Sequence, residues 1–378
     1  MKRRQFLEKA GLAAAAGAAV GAGVGVTGCT TPTGSDAEGA PAVRTRPRVM
    51  WRLTSSFPRG LDTIYGAADI FAERLSQLTE GRFTVRSYPA GEIVPGLQVL
   101  DAVQMGTVQM GHSASYYFKG KNPALAFDCS VPFGLTARQQ NAWLYRGGGL
   151  ELMRKLLADF NVISFPGGNT GIQMGGWFRR EINSAADLGG LKMRIPGLGG
   201  EVMARLGATV QVLAGGDIFP ALERGAIDAT EWVGPYDDEK LGFFKIAKYY
   251  YYPGWWEPGP SLSFYVNQDA WAKLPKEYQY AVEVAAAEAN ERMLTNYDAL
   301  NPPALERLLN QGVEMRPFAD DIMAAARRES FALYEEQAAA DAGYREVYQA
   351  WQKFRTDAYR WFATAEASYA AFNFTFGN

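Results

Sequence analysis

The sequence predicts an α/β protein of two lobes joined by a hinge, with a ligand cleft between them and a long C-terminal helix. Three observations lead there. A chain of 378 residues exceeds what one hydrophobic core usually organises. A helix–glycine–strand unit occurs twice. An apolar stripe at helical spacing closes the chain.

The repeated unit is read first in Leu100–His112 (LDAVQMGTVQMGH) and again in Phe219–Glu231 (FPALERGAIDATE). In each, an amphipathic helix runs to a glycine, Gly106 or Gly225, where a left-handed C-cap is needed. A short apolar strand follows. Pro220 can open the second helix, where its missing N–H is harmless. Two such units predict two related α/β lobes. Ligands of open α/β sheets bind beyond the carboxyl ends of the strands. His112 to Tyr117 and Thr230 to Tyr236 should therefore face one shared cleft.

The other elements follow in order. Val49 to Leu53 alternates like a strand, and Ile64, Ala67, Ala68, Phe71, Leu75 and Leu78 mark one face of a helix. Gly81 ends that helix, and Phe83 to Tyr88 returns as a strand. Val162 to Phe165 reads as a strand near the crossing into the second lobe, which opens with Thr170 to Phe178. The chain returns around Pro258 to Val266. The expected boundaries are 48–168 plus 259–343 for the first lobe and 169–258 for the second. The C-terminal helix, 344–378, carries Tyr344, Val347, Trp351, Phe354, Ala358, Trp361 and Tyr369 on one stripe. A helix of that length is expected to brace both lobes or to reach a second subunit.

Residues 1–29 form an export signal. Lys2, Arg3 and Arg4 make a basic n-region, and an uncharged Ala/Gly-rich stretch runs from Ala10 to Thr27. Arg3-Arg4-Gln5-Phe6-Leu7 resembles a twin-arginine motif. Val26-Thr27-Gly28-Cys29 resembles a lipobox, in which Cys29 becomes the lipidated N-terminus; ordinary signal cleavage with Cys29 incidental is the alternative. Residues 30–47 are rich in Pro, Gly, Ala and Thr, as a flexible tether is. Beyond the leader no stretch approaches the ~18 apolar residues of a spanning helix.

Composition excludes several classes. Thirty-eight Lys and Arg against 40 Asp and Glu give no basic footprint for nucleic acid. After the leader only Cys129 remains, so neither an internal disulfide nor a thiolate zinc site is available; a buried, inert thiol is expected. One histidine, His112, excludes most His-dependent metal sites, and no P-loop, H-E-x-x-H or G-x-S-x-G is present.

The most specific motif lies between the two units. Ser184 to Gly197 reads S-x-x-D-L-x-G-L-K-x-R-x-P-G. With both repeated units, Val131-Pro132-Phe133-Gly134 and Glu231-Trp232-Val233-Gly234-Pro235, it resembles the solute receptors of tripartite ATP-independent periplasmic (TRAP) transporters, the DctP family. The resemblance runs from about Met50 to the C-terminus. Within it, Gly167 to Gly176, Glu231-Trp232 and Tyr252 to Gly259 look most similar to the 2-oxo acid (pyruvate-type) receptors.

The resemblance implies a type II periplasmic-binding-protein-like fold and an exported, periplasmic receptor without catalytic residues. Such a receptor hands a small carboxylate to the small and large membrane subunits of the transporter. It implies that Arg194 clamps the ligand carboxylate, and a guanidinium suits that role because its paired N–H donors match a carboxylate. It also implies a sodium or calcium ion bridging the ligand, held by Gln173, Glu231, the Trp232 carbonyl and Glu257, a hard all-oxygen set. An unpaired Glu231 in the cleft would repel an anion and be costly to desolvate; a cation removes both problems. The competing readings are a solvated loop carboxylate for Glu257 and a backbone hydrogen bond for Gln173.

One of Tyr116 and Tyr117 is expected to give its hydroxyl to the ligand while the other packs. Asn169 and Thr170 are candidate polar contacts. Trp232, Trp255, Trp256 and Phe178 either wall an apolar pocket or form plain core. His112 is expected to be structural. Length and resemblance point to a homodimer through the C-terminal helix. Competing functions are a receptor for lactate or another organic acid, an exported metal-dependent lyase using the same cation site, and a sensor lobe coupled to a kinase.

Overall fold

A computed structural model describes residues 46–376. The export signal, Cys29 and the tether as far as residue 45 lie outside the described residues. Among the described residues the strands, in chain order, are β1 (Val49–Ser55), β2 (Phe83–Tyr88), β3 (Met110–Ser113), β4 (Val162–Asn169), β5 (Gly176–Phe178), β6 (Lys192–Arg194), β7 (Thr209–Gln211), β8 (Ala229–Thr230), β9 (Tyr249–Tyr252), β10 (Ser261–Asn267) and β11 (Glu314–Pro317). They form two mixed sheets, ordered β2-β1-β3-β10-β4 and β11-β9-β5-β8-β6-β7.

The repeated units occupy matching places. The Val99–Gln104 helix passes through Gly106, at φ 71°, into β3, which runs parallel to β1. The Gly215–Glu223 helix passes through Gly225, at φ 72°, into β8, which runs parallel to β6. Both glycines take the left-handed conformation that side chains with a Cβ resist. Pro220 differs from expectation: it lies inside the helix rather than at its start, because Gly215 and Gly216 already form the first turn.

The first sheet is made as the alternation suggests. β1 and β2 pair from Val49–Phe83 to Thr54–Tyr88. The Gly66–Leu78 helix buries Ala67, Ala68, Phe71 and Leu75, while Leu78 at its end is exposed. Cys129 is a buried free thiol.

Residues 314–317, expected in the first lobe, instead extend the second sheet. β11 lies parallel to β9 in the register Glu314–Tyr249 to Pro317–Tyr252. The edge of β9 offers unpaired backbone groups, and a four-residue segment is enough to satisfy them.

The bracing expected of the C-terminal helix falls to another element. The helix Lys276–Asn310 is 35 residues long. Its first half packs on β4 and the Gly66–Leu78 helix, and its second half on the Pro235–Leu241 helix. Tyr297 Oη donates to Asp237 Oδ2 at 2.7 Å and Arg307 forks onto Glu239. The C-terminal segment runs as Ala342–Phe362, a wide turn over Ala363–Ala367 and Ser368–Phe376. Its first turns bury Tyr344, Val347 and Trp351, the last edge-on to Phe127 at 5.3 Å. Trp361 and Tyr369, farther along, are 60% and 69% exposed. No helix among the described residues is long and apolar enough to cross a membrane.

Candidate ligand-binding site

Four segments meet where the two sheets face each other. After β3 the chain makes a short turn, Ser115–Phe118, that carries Tyr116 and Tyr117. β6 ends on Arg194, and Pro196 leads into Gly197 at φ 65°. A Cβ on Gly197 would stand 3.2 Å from that of Tyr116, so glycine there lets the lobes approach. β8 leads into Glu231 and Trp232. The fourth segment is the loop holding Glu257, which lies against the one holding Gln173. Gly254 N donates to Gln173 O at 2.9 Å, and Gln173 N to Glu257 O at 3.2 Å.

Arg194 is the hub. It is 1% exposed, and a buried guanidinium needs its donors met. Nε and Nη2 both donate to Leu213 O at 3.1 Å. Nη1 donates to Glu231 Oε1 in a close ion pair. Nη2 points at Tyr117 Oη, 3.5 Å away, and the guanidinium lies 5.3 Å from the Trp232 ring. On the other side, Tyr116 Oη donates to Glu257 Oε2 at 3.2 Å. Both tyrosines therefore address the site, Tyr117 toward the arginine and Tyr116 toward a carboxylate.

The carboxylates are strained electrostatically. Burial pushes the Glu231 carboxyl up, more than the Arg194 charge pulls it down. Burial and then the Glu231 charge push Glu257 well above the usual range. Gln173 Nε2 donates to Thr170 Oγ1 at 3.3 Å, while its buried Oε1 has no hydrogen-bond partner. Two buried carboxylates and an unpartnered amide oxygen form an oxygen-rich, electron-rich spot, which is what a hard cation requires. Among the described residues no three His, Cys, Asp or Glu side chains cluster as metal ligands. A cation here would have to draw on the Gln173 and Trp232 oxygens as well as the two acids.

The cavity at the centre has about 10 Å³ of free space, room for one water. Tyr116, Tyr117, Thr170, Gln173, Arg194 and Trp232 line it. Glu231 and Glu257, bonded to Arg194 and Tyr116, are not among its lining residues. A far larger cavity, about 530 Å³, opens at the opposite end of the first sheet beside Gln109, Asn161 and Asn267. Several polar groups there are already paired: Gln109 with Arg52 N, Asn161 with Asp269, and Asn267 with Val103 O. Size alone would choose that cavity, but the unsatisfied chemistry lies in the small one.

The remaining candidates lie outside the cavity. Asn169 does not line the cavity; its amide bridges backbone, accepting from Gly171 N at 2.9 Å and donating to Gly259 O at 3.2 Å. It fixes the crossing between lobes. Phe178, Trp255 and Trp256 are core: Phe178 meets Tyr251 edge-on at 4.8 Å, Trp255 stacks on Phe133 at 5.3 Å, and Trp256 lies 5.8 Å from Phe318. His112 is buried within β3 between Phe57 and Phe264, and burial lowers its pKa to about 3. Three apolar liners, Phe57, Ile64 and Leu262, escape the sequence reading. Phe57 follows the carboxyl end of β1, so the strand-end rule applied there would have found it. The Leu213 carbonyl has no side-chain signal at all.

Residues 55–341 match the model of DctP, bacterial extracellular solute-binding protein family 7. Over 373 residues, 98% of this chain and 99% of the relative, the sequence is 56% identical to a monocarboxylate 2-oxoacid-binding periplasmic protein of Nostoc sp.. A TRAP transporter solute-binding protein of Bordetella bronchiseptica superposes with a TM-score of 0.86 at 48% identity, over 87% of this chain and 98% of that one. It crystallised as a mixed-occupancy dimer, one site holding copurified calcium and picolinate. A TRAP periplasmic solute-binding protein of Pseudoalteromonas atlantica, with bound sodium and pyruvate, gives 0.83 at 41% identity, over 86% and 99%.

Proposed function

The chain belongs to the DctP family of bacterial extracellular solute-binding proteins, the non-enzymatic receptors of TRAP transport, and on that premise we propose that it captures a small 2-oxo monocarboxylate of pyruvate type together with a metal cation. The observation that carries this reading is Gln173 Oε1, buried and unpartnered beside two buried carboxylates. Ionised together, two carboxylates against one guanidinium would leave the site negative, and a monocarboxylate would add to that charge; burial resists this by pushing both acids up. Bound there, a cation supplies the counter-charge and a common point for the ligand's carboxylate and 2-oxo oxygens.

The chain's own groups divide the work. Glu231, Glu257, Gln173 Oε1 and the Trp232 carbonyl hold the cation. Arg194, preset on Leu213 O, turns its Nη1 from Glu231 to the ligand carboxylate. Tyr117 Oη, beside Nη2, and Tyr116 Oη, on Glu257, complete the polar wall. Trp232 lies over Arg194 and limits the ligand's size. Hinge closure at the crossings by Asn169 and Gly259 excludes water. The relatives' bound pyruvate, picolinate, calcium and sodium support this class of ligand.

The wider setting belongs to the same reading. Cys29 anchors the exported receptor by lipid, the closed form docks on the two membrane subunits, and exposed Trp361, Tyr369 and Phe374 on the C-terminal segment meet a second copy. Native mass spectrometry of the mature protein with pyruvate and calcium tests the core of it. One pyruvate and one cation per chain support the reading; pyruvate retained at equal strength without any cation removes the metal from it.

A further inference from the structure

Two adjacent buried acids sit on the first turn of the Pro235–Leu241 helix and do different things. Asp238 is spent within the second lobe. Its carboxylate accepts from Trp177 Nε1 at 2.9 Å, Tyr250 Oη at 2.7 Å and Val233 N at 3.3 Å. Asp237 reaches across. Its Oδ1 accepts from Thr63 Oγ1 at 2.6 Å, and its Oδ2 from Tyr297 Oη at 2.7 Å and Trp232 Nε1 at 3.3 Å. Thr63 lies between β1 and the Gly66–Leu78 helix, both of the first lobe. Thr63 is 2% exposed and Asp237 fully buried.

The indole that Asp237 holds has little freedom elsewhere. A Cβ on Gly215 would stand 2.6 Å from Trp232 Cη2, and Arg194 covers the ring at 5.3 Å. Trp232 lines the ligand cavity. One carboxylate thus joins a first-lobe hydroxyl to the ring that walls the site. Tyr297 and the Tyr116–Glu257 pair add buried bonds across the lobes, whereas the neighbouring ion pairs are at least partly solvated: Lys240 and Tyr236 meet Asp62, and Lys119 meets Glu201. Exposed pairs contribute little, whereas a buried hydrogen bond to a carboxylate is among the stronger ones.

We propose that Asp237 is a closure-positioning residue: by accepting from Thr63 it latches the first lobe to the helix that orients Trp232, and so slows ligand release. This rests on the ligand reading given above. Opening the cleft must break the Thr63–Asp237 bond while leaving the three Asp238 bonds intact. The latch therefore acts on release more than on capture, and it acts through Trp232 without touching the ligand.

The test is stopped-flow release of pyruvate from the calcium-loaded mature protein, for wild type, Thr63→Val and Thr63→Ser. Valine keeps the shape and removes the donor; serine restores it. Thr63→Val is expected to release pyruvate roughly tenfold faster or more, with association nearly unchanged, and Thr63→Ser to return most of the difference. Release from Thr63→Val at the wild-type rate, or equal acceleration in both variants, overturns the latch. Wild type that binds no pyruvate refutes the ligand reading alone, and the same ratio is then taken with picolinate and calcium. Asp237→Ala supplies a second route, because it removes the acceptor: it should accelerate release, and adding Thr63→Val to it should change release little further. Full additivity of the two substitutions contradicts the proposal.

Discussion

Arg194 Nη1 donates to Glu231 Oε1, and both side chains are 1% exposed. The group proposed to clamp the ligand and the group proposed to hold its cation therefore satisfy each other in this structure. The pairing explains how two opposed charges are kept in a dry cleft, and it defines what a bound anion and cation would have to separate.

Removing the guanidinium should damage both binding and fold. Arg194→Ala leaves Glu231 buried and unpaired, a loss of about 3–5 kcal/mol. Pyruvate binding in calorimetry should vanish, and denaturant unfolding should shift in the ligand-free protein as well. Arg194→Lys keeps the charge without the fork, so it should recover more stability than affinity.

Glu257→Gln should separate the two properties in the opposite sense. Glu257 is held well above the usual carboxylate range by burial and by Glu231. The neutral amide needs no desolvated charge there, so the ligand-free unfolding free energy should stay level or rise, by roughly 1 kcal/mol at most. Calcium affinity should fall tenfold or more. A variant that is both less stable and equally fond of calcium would show Glu257 to be structural.

Stability and cation affinity should respond to pH with opposite sign. Burial pushes Asp128 up to about 6 and Asp238 up to about 7, above the unfolded value of about 3.9. Such groups bind their protons more tightly when folded. Their contribution is complete below about pH 4 and is lost as pH rises through 6 and 7. The ligand-free melting temperature should therefore fall across that window. Calcium needs ionised Glu231 and Glu257, both raised, so its affinity should climb as pH rises.

How far the sequence reached depended on whether function left a side-chain pattern. Arg194 lies in a dense motif at a strand end, and Glu231 and Trp232 follow the second repeated strand, so rule and motif agree. Gly106 and Gly225 were legible because only a backbone requirement puts glycine there. The Lys276–Asn310 helix was not, since Pro302 and Pro303 inside it obey the usual signal for a helix end. Four residues at Glu314–Pro317 are too short for periodicity to register. Asn169 and Asp237 lay beyond reach for another reason: their partners, Gly259 and Thr63, are distant in the chain and meet them only in the fold.

Truncation should isolate the role of the C-terminal segment. Trp361, Tyr369 and Phe374 are exposed by 60–79%, and the proposed dimer would cover them. Deleting residues 363–378 should convert a dimer into a monomer in light scattering while leaving pyruvate affinity unchanged. A monomeric full-length protein would remove the dimer from the account.

In the proposed mechanism Arg194 and a cation on Gln173, Glu231, Trp232 and Glu257 hold one carboxylate together. Calorimetric titration of pyruvate into the mature protein, stripped by chelation and dialysed free of sodium, tests it most directly when repeated with calcium restored. The stripped protein should give no heat, and one-to-one binding should appear once calcium returns. Equal binding in both conditions would contradict this mechanism, leaving a receptor whose buried carboxylates serve the fold.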